Sequence, residues 1–312
     1  MLGGFKIAKF TFDFEACANG HLPEFKGSAL RGGFGYVFKS IVCTNKEEPC
    51  KPCKYRDSCA YLYIFETPVT QSGNSFSDYS DVPRPFVFDI YDNPKRTFIE
   101  GDQLQFGLVL VGKAVDYLPY FIFCFDELGR KGIGIERLKF NLRGVYAFEF
   151  GTNRWNPIYD PKSRTLSDFL PIIGADHLPF EHKNTLSLEF LTPTRIKYRE
   201  SYITNMEFHI MIRNLLRRIS MLMLFHCGSK LELDFNELIT QAKMVDVRGW
   251  DLRWHDWTRY STRQKISMEL GGFIGNVIYE GNFEAFMPFV SLGEQIHIGK
   301  NTTFGLGKYA IL

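Results

Sequence analysis

Four cysteines, Cys43, Cys50, Cys53 and Cys59, fall in one short stretch rich in Lys, Glu and Pro. Thiolates spaced C-x6-C-x2-C-x5-C can converge on a tetrahedral metal ion without a deep core around them. The spacing predicts a structural metal site, with zinc favoured over an iron–sulfur cluster. Such a closed site has no open position for chemistry. The alternative is four unrelated small hydrophobes. Two glycine turns supply the other chemistry-bearing feature. Gly305-Leu306-Gly307 precedes a strand-like run, Lys308 to Leu312, and is bracketed by Lys300 and Lys308. Gly132-Ile133-Gly134 likewise follows an apolar helix and leads into a strand. Between residues 130 and 143 there are five Lys+Arg and a single acidic residue. Glycines so placed can present bare amides to an anion, or can pack tightly.

The elements that must position these groups are legible in order. Lys6 to Cys17 alternates, with Phe10, Phe12 and Phe14 on one face, and predicts a half-buried strand. Gly27-Ser28 opens a helix whose apolar face is Leu30, Phe34, Val37, Phe38 and Ile41. Gly32, Gly33 and Gly35 inside it each cost about 1 kcal/mol relative to Ala, so they need a packing or ligand-approach reason. Gln71 to Pro85 reads as a loop. Phe86 to Tyr91 and Gln103 to Val111 read as strands, and Asp116 to Leu128 as a helix. Residues 151–183, with four prolines, read as linker or insertion. The pattern then restarts: a strand from Thr185 to Tyr198, a long helix from Asn205 to Cys227, a basic aromatic stretch from Trp250 to Lys265, a strand from Leu270 to Tyr279, a short apolar element and the final glycine loop. On the long helix Arg213, Arg217 and Arg218 are expected to face outward.

The order strand, helix, strands, helix, G-x-G, strand therefore occurs twice. It predicts an α+β chain of two tandem ferredoxin-like (β-α-β-β-α-β) domains, 1–150 and 184–312, with a cysteine-rich loop, 43–59, inserted in the first and a glycine-rich loop, 299–307, in the second. The 312 residues, 45% hydrophobic and 23% charged, suit two globular domains. A net charge of +2 is far from the strongly basic balance of an obvious nucleic-acid binder. An odd number of cysteines, seven, argues against a disulfide framework. The opening MLGGFKIAKFTFDFEA reads as a strand rather than a signal peptide, and no apolar run is long enough to span a membrane. A cytoplasmic protein is expected.

The stretches LPEFKGSALRGGFGYVFKSIVC, the cysteine loop running into Phe65-Glu66-Thr67-Pro68, LEFLTPTRIKY, WTRYSTRQKISMELGGFIG and HIGKNTTFGLGKY together resemble CRISPR-associated repeat-RNA-processing endoribonucleases of the RAMP superfamily. The resemblance covers most of the chain. It implies two ferredoxin-like domains with RNA held across and between them, and metal-independent cleavage of CRISPR repeat RNA. The ribose 2′-OH would attack the adjacent phosphate, leaving a 2′,3′-cyclic phosphate and a 5′-OH end. Expected partners are repeat RNA and effector-complex subunits, with a homodimer left open and no membrane.

Many such relatives carry a catalytic His in or near the first helix, and Arg31 to Cys43 contains none. His21 precedes that helix, and Tyr36 and Lys39 lie on it. His21 and Lys39 rank first, then Tyr36, with His255 in the second half as a further candidate among arginines and tryptophans. His297 is expected to buttress the final loop. Arg31, Arg130, Lys131, Arg137, Lys139, Arg259, Arg263, Lys300 and Lys308 are the expected RNA contacts, and Trp254, Trp257 and Tyr260 the bases' stacking partners. Two rival readings stand beside catalysis: an RNA-gripping, non-catalytic RAMP subunit of an effector complex, and a zinc-stapled scaffold that contacts proteins.

Overall fold

The computed structural model describes residues 2–45, 49–50, 52–67, 82–90, 94–180, 184–261 and 266–312. The chain divides into two compact units, Lys6–Ile172 with Met221–Gly228, and Met1–Phe5 with Ile173–Ser220 and Ser229–Leu312. Most of the expected loop from Gln71 to Pro85 lies outside the described residues.

The first unit runs β1 (Lys6–Ala16), α1 (Gly27–Val42), β2 (Phe86–Asp89), β3 (Gln103–Val111), α2 (Leu118–Lys131), β4 (Phe140–Glu149) and β5 (Arg154–Asp160). Its sheet has the order β2-β3-β1-β4-β5, every neighbour antiparallel. The alternation of β1 works as expected: Phe10, Phe12 and Phe14 are all buried. Phe12 stacks on Phe106 of β3 at 5.3 Å between centroids and meets Phe125 of α2 at 5.0 Å. Phe34 of α1 lies 4.6 Å from Phe121 and 4.8 Å from Phe125. This aromatic layer fixes the two helices on one face of the sheet. Ile41, near the end of α1, is exposed rather than part of that face.

Gly33 explains part of the glycine run in α1. A Cβ there would stand 2.6 Å from Leu128 Cδ1 on α2, so the glycine serves close packing of the two helices. Within 151–183, Arg154–Asp160 is a strand paired to β4 across Tyr146↔Pro157 and Phe148↔Trp155. Pro157 is tolerated there because the register shifts between Val145 and Tyr146, and a bulge can spare an N–H.

The second unit runs β6 (Thr185–Thr194), α3 (Phe208–Leu222), β7 (Asp246–His255), β8 (Gly272–Glu280), α4 (Met287–Ile296) and β9 (Tyr309–Ile311). Its sheet order is β7-β8-β6-β9, again antiparallel throughout. Relabelled by position, the two sheets share one order. The long helix expected from Asn205 to Cys227 is α3 followed by a π turn, Met223–Cys227. Phe208, Ile212, Leu215, Leu216 and Ile219 bury its inner face, together with Leu188, Phe190, Val277 and Tyr279 of the sheet. Arg213 and Arg217 are exposed, as expected, but Arg218 turns inward. Its Nη2 and Nε donate to Ile296 O at 2.9 and 3.3 Å. A cation thus caps the last carbonyl of α4, where the helix dipole favours it. Burial draws its pKa down to about 10, which leaves it charged at neutral pH.

No helix among the described residues is long and apolar enough to cross a membrane.

Lys26, just before α1, is 2% exposed, and its Nζ donates to Glu24 O at 3.1 Å. Burial lowers its pKa to about 8, partly opposed by the Glu24 charge. The unfolded chain therefore holds a proton between pH 8 and about 10.5 that the folded chain has released, and stability rises with pH across that window. Below pH 8 both states are protonated and the full cost of the buried charge is present. Lys26→Met should flatten the rise and stabilise the protein at pH 7 by about 2 kcal/mol. Denaturant unfolding of parent and variant at pH 7 and pH 10 checks it; parallel curves would show that Lys26 does not titrate this way.

Candidate nucleic-acid site

His21 sits on a two-residue strand, Gly20–His21, paired to Thr97–Phe98. Its backbone N–H donates to Glu136 Oε2 at 2.9 Å, and its ring Nδ1 lies 3.5 Å from the same oxygen. Both side chains remain more than half exposed. Glu136 belongs to the turn after α2, which Ile133 and Leu138 close with reciprocal N–H···O bonds of 2.8 and 3.1 Å. The two turns interlock: a Cβ on Gly20 would stand 3.0 Å from Leu138 Cδ1, and one on Gly134 3.0 Å from Leu22 Cδ2. A carboxylate beside Nδ1 orients the imidazole, leaving Nε2 to exchange a proton with a ligand. Residue-type reasoning missed Glu136. The signal was present, since it is the single acidic residue in the basic stretch 130–143.

The remaining catalytic candidates do not converge on that pair in any contact the structure shows. Tyr36 projects from α1 and is 74% exposed. Lys39, in the last turn of α1, lies 5.5 Å over the Tyr61 ring. Partial burial pulls its pKa down, but a hydrogen bond with Cys50 and the neighbouring Cys50, Tyr61 and Cys43 groups outweigh it and raise the pKa overall. Lys39 is therefore a fixed cation rather than a proton acceptor. His255 ends β7 in the other unit and is exposed.

The cysteine loop is described at all four thiols. Cys43 Sγ donates to Asn45 O at 3.2 Å, while Cys50 and Cys59 lie half-buried against the hydrophobic core. Among the described residues no group of three or more His, Cys, Asp or Glu is arranged to hold a metal ion.

Both glycine turns use their amides internally. Gly307 N–H donates to Pro193 O, Lys300 N–H to Arg195 O, Gly305 N–H to Thr302 O and Lys308 N–H to Thr192 Oγ1. Gly305, Leu306 and Gly307 are buried. In the first turn Gly132 N–H is taken by Leu128 O and Arg137 N–H by Gly134 O. The expectation of bare amides facing an anion is thus corrected: positive φ at Gly132, Gly305 and Gly307 lets the chain double back within van der Waals reach of its own backbone. His297, 1% exposed, hydrogen-bonds Leu306 O at 3.2 Å and does buttress this loop.

The cations differ in availability. Arg130 and Lys131 pair with Asp126 and Glu127 one turn back on α2. The Arg31 guanidinium lies over the Phe65 ring at 5.2 Å. Arg137, Lys139 and Lys300 are exposed and Lys308 half-buried. Arg259 lies on a short strand, Thr258–Ser261, and Arg263 is outside the described residues. Trp254 donates its indole N–H to Asp256 Oδ1 at 2.9 Å.

A family model described as an N-terminal domain, AF_1859_N, matches residues 5–169, more than half of the chain. A second, described as CRISPR-associated endoribonuclease Cas6, matches residues 188–309. The chain belongs to the family whose N-terminal domain the first model describes, and its second half matches the Cas6 endoribonuclease model. An uncharacterized protein of Archaeoglobus fulgidus is 26% identical over 293 residues, spanning 93% of each chain. A Cas6 product complex superposes with a TM-score of 0.60 at 13% identity, covering 98% of this chain and 100% of the other. A Thermus thermophilus Cas6 gives 0.56 at 13% identity and 99% of both chains. At such identities the likeness is one of fold, a mixed α+β architecture with antiparallel sheets.

Proposed function

We propose that this chain cleaves CRISPR repeat RNA in precursor transcripts through the substrate's own 2′-OH, on two tandem ferredoxin-like domains. The shared sheet order of the two units, with helices between strands one and two and between strands three and four, supports that architecture. The observation that carries the activity is the exposed imidazole of His21 held by Glu136, on a chain whose second half matches the Cas6 endoribonuclease model. His21 Nε2 takes the proton of the 2′-OH; the alkoxide attacks the neighbouring phosphorus, the P–O5′ bond breaks, and the imidazolium so formed returns that proton to the leaving 5′-oxygen. Arg137 and Lys139, exposed on the Glu136 segment and just after it, are suited to balance the charge that builds on the phosphorane. The nucleophile belongs to the substrate, so no step is assigned to a metal. A structural relative at a TM-score of 0.60 and 12% identity is part of a Cas6-RT-Cas1–Cas2 complex, which supports CRISPR-complex subunits as further partners.

The test is incubation of the purified chain with its cognate repeat RNA in excess EDTA, with both new ends mapped. The expected products carry a 2′,3′-cyclic phosphate and a 5′-OH. Salt-sensitive RNA binding without cutting would replace this reading with the RNA-gripping subunit, and loss of cutting in EDTA would remove the metal-independent mechanism.

A further inference from the structure

Strand β7 is the outermost strand of its sheet and pairs only with β8 among the described residues. A ten-residue edge with an open row of N–H and C=O groups is a template for another strand. Natural edges of this kind are blunted or used. Cross-strand partners share a sheet face, so the register with β8 sorts the side chains of β7. Trp250 opposes Val277, Leu252 opposes Gly275 and Trp254 opposes Phe273, and these lie on the face where Val277 and Phe273 are fully buried. Even so, Trp250 is 60% and Trp254 38% exposed, because they stand at the sheet's rim. Asp251 and Arg253 oppose Asn276 and Ile274 on the other face. Both are exposed, and neither makes an ion pair among the described residues.

We infer that β7 is the interface with a second copy of this chain, added antiparallel about a two-fold axis through Leu252. In that register each residue n faces 504 − n of the partner, and the sequence is self-complementary. Asp251 meets Arg253 of the second copy and Arg253 meets its Asp251, giving two reciprocal ion pairs on one face. Trp250 meets Trp254 twice on the other, and Leu252 meets itself. A two-residue shift either way sets Asp251 against Asp251 or Arg253 against Arg253, which disfavours those registers. Pairing extends from Gly249 to His255, bounded on one side by the bulge between Val247 and Gly249. An isologous contact of this kind closes at two copies, and main-chain hydrogen bonding with alternating side-chain selection is the logic of strand addition.

The proposal is independent of the RNA chemistry and is tested on the full chain by sedimentation across the micromolar range. The parent should dimerise. Asp251→Arg and Arg253→Asp should each weaken the dimer by about tenfold or more, because like charges then face each other at two places. The double variant restores the alternation in reverse and should dimerise like the parent, as should an equimolar mixture of the two single variants. Leu252→Cys places two thiols directly opposite, at a Cα separation of about 4.5–5.5 Å, within the span of a disulfide. Mild oxidation should yield a covalent dimer that the parent, with its seven cysteines, does not form. A parent that stays monomeric, a charge-reversed variant as dimeric as the parent, or a Leu252→Cys chain that does not cross-link overturns the inference.

Discussion

His21→Ala is expected to slow single-turnover cleavage of repeat RNA by roughly 10²–10⁴-fold, the range for loss of a positioned general acid or base. Binding of the RNA should change little, because an imidazole that moves a proton in the transition state contributes little to ground-state affinity. The melting temperature should also hold, since the ring is more than half exposed and its one close partner is the exposed Glu136. Glu136→Gln keeps the shape but removes the carboxylate charge. It should cost about tenfold, because the carboxylate beside Nδ1 is what orients the ring. The same carboxylate accepts the backbone N–H of His21, so Glu136→Ala should cost more than Glu136→Gln by loosening the strand that carries the ring. Lys39→Ala and Tyr36→Phe serve as comparisons. If His21→Ala cuts like the parent while Lys39→Ala or Tyr36→Phe does not, the proton transfer belongs to α1 and the His21–Glu136 pair is only a surface contact.

The fold was largely written in periodicity, and the site was not. Alternation placed Phe10, Phe12 and Phe14 inside, and the repeated element order anticipated two sheets of the same order. What escaped were pairings between residues far apart in the chain. His21 and Glu136 are separated by 115 positions, and nothing local marks the contact. Whether the amides of the final turn were free or packed was open in the sequence because their acceptors, Pro193 O on β6 and Arg195 O just after it, lie over a hundred residues away. Some of the miss was avoidable. Asp126 and Glu127 precede Arg130 and Lys131 by four residues, the spacing at which helical charges pair, so a count of basic residues overstated the cations there. Arg218 follows Arg213 and Arg217 and is of the same type, yet the α4 carbonyl it caps decides its direction.

Gly307→Ala should destabilise the protein by about 3 kcal/mol or more, and its partner effect on RNA decides what the glycine loop is for. Gly307 has φ +74, where an L-residue costs about 1–2 kcal/mol. A Cβ there would also lie far inside van der Waals contact with Ile298 O. That carbonyl cannot simply move, because Ile298 N–H donates to Gly307 O at 2.9 Å and Gly307 N–H donates to Pro193 O at 3.2 Å. The methyl group therefore breaks one of these bonds or shifts the backbone that leads into β9, and β9 completes the sheet beside β6. Gly299→Ala should act in the same direction, with its Cβ 2.6 Å from Arg195 O, whereas Gly151→Ala, with nothing within 4 Å, should leave stability within about 0.5 kcal/mol of the parent. Thermal unfolding orders the three. For a domain of this size about 3 kcal/mol is a fall of roughly 6–12 °C. A Gly307→Ala chain that melts with the parent but has lost its affinity for RNA would mean the turn faces the ribose-phosphate strand after all. Lower stability with binding intact below the transition fixes the turn as a structural clasp, and leaves recognition to the exposed cations.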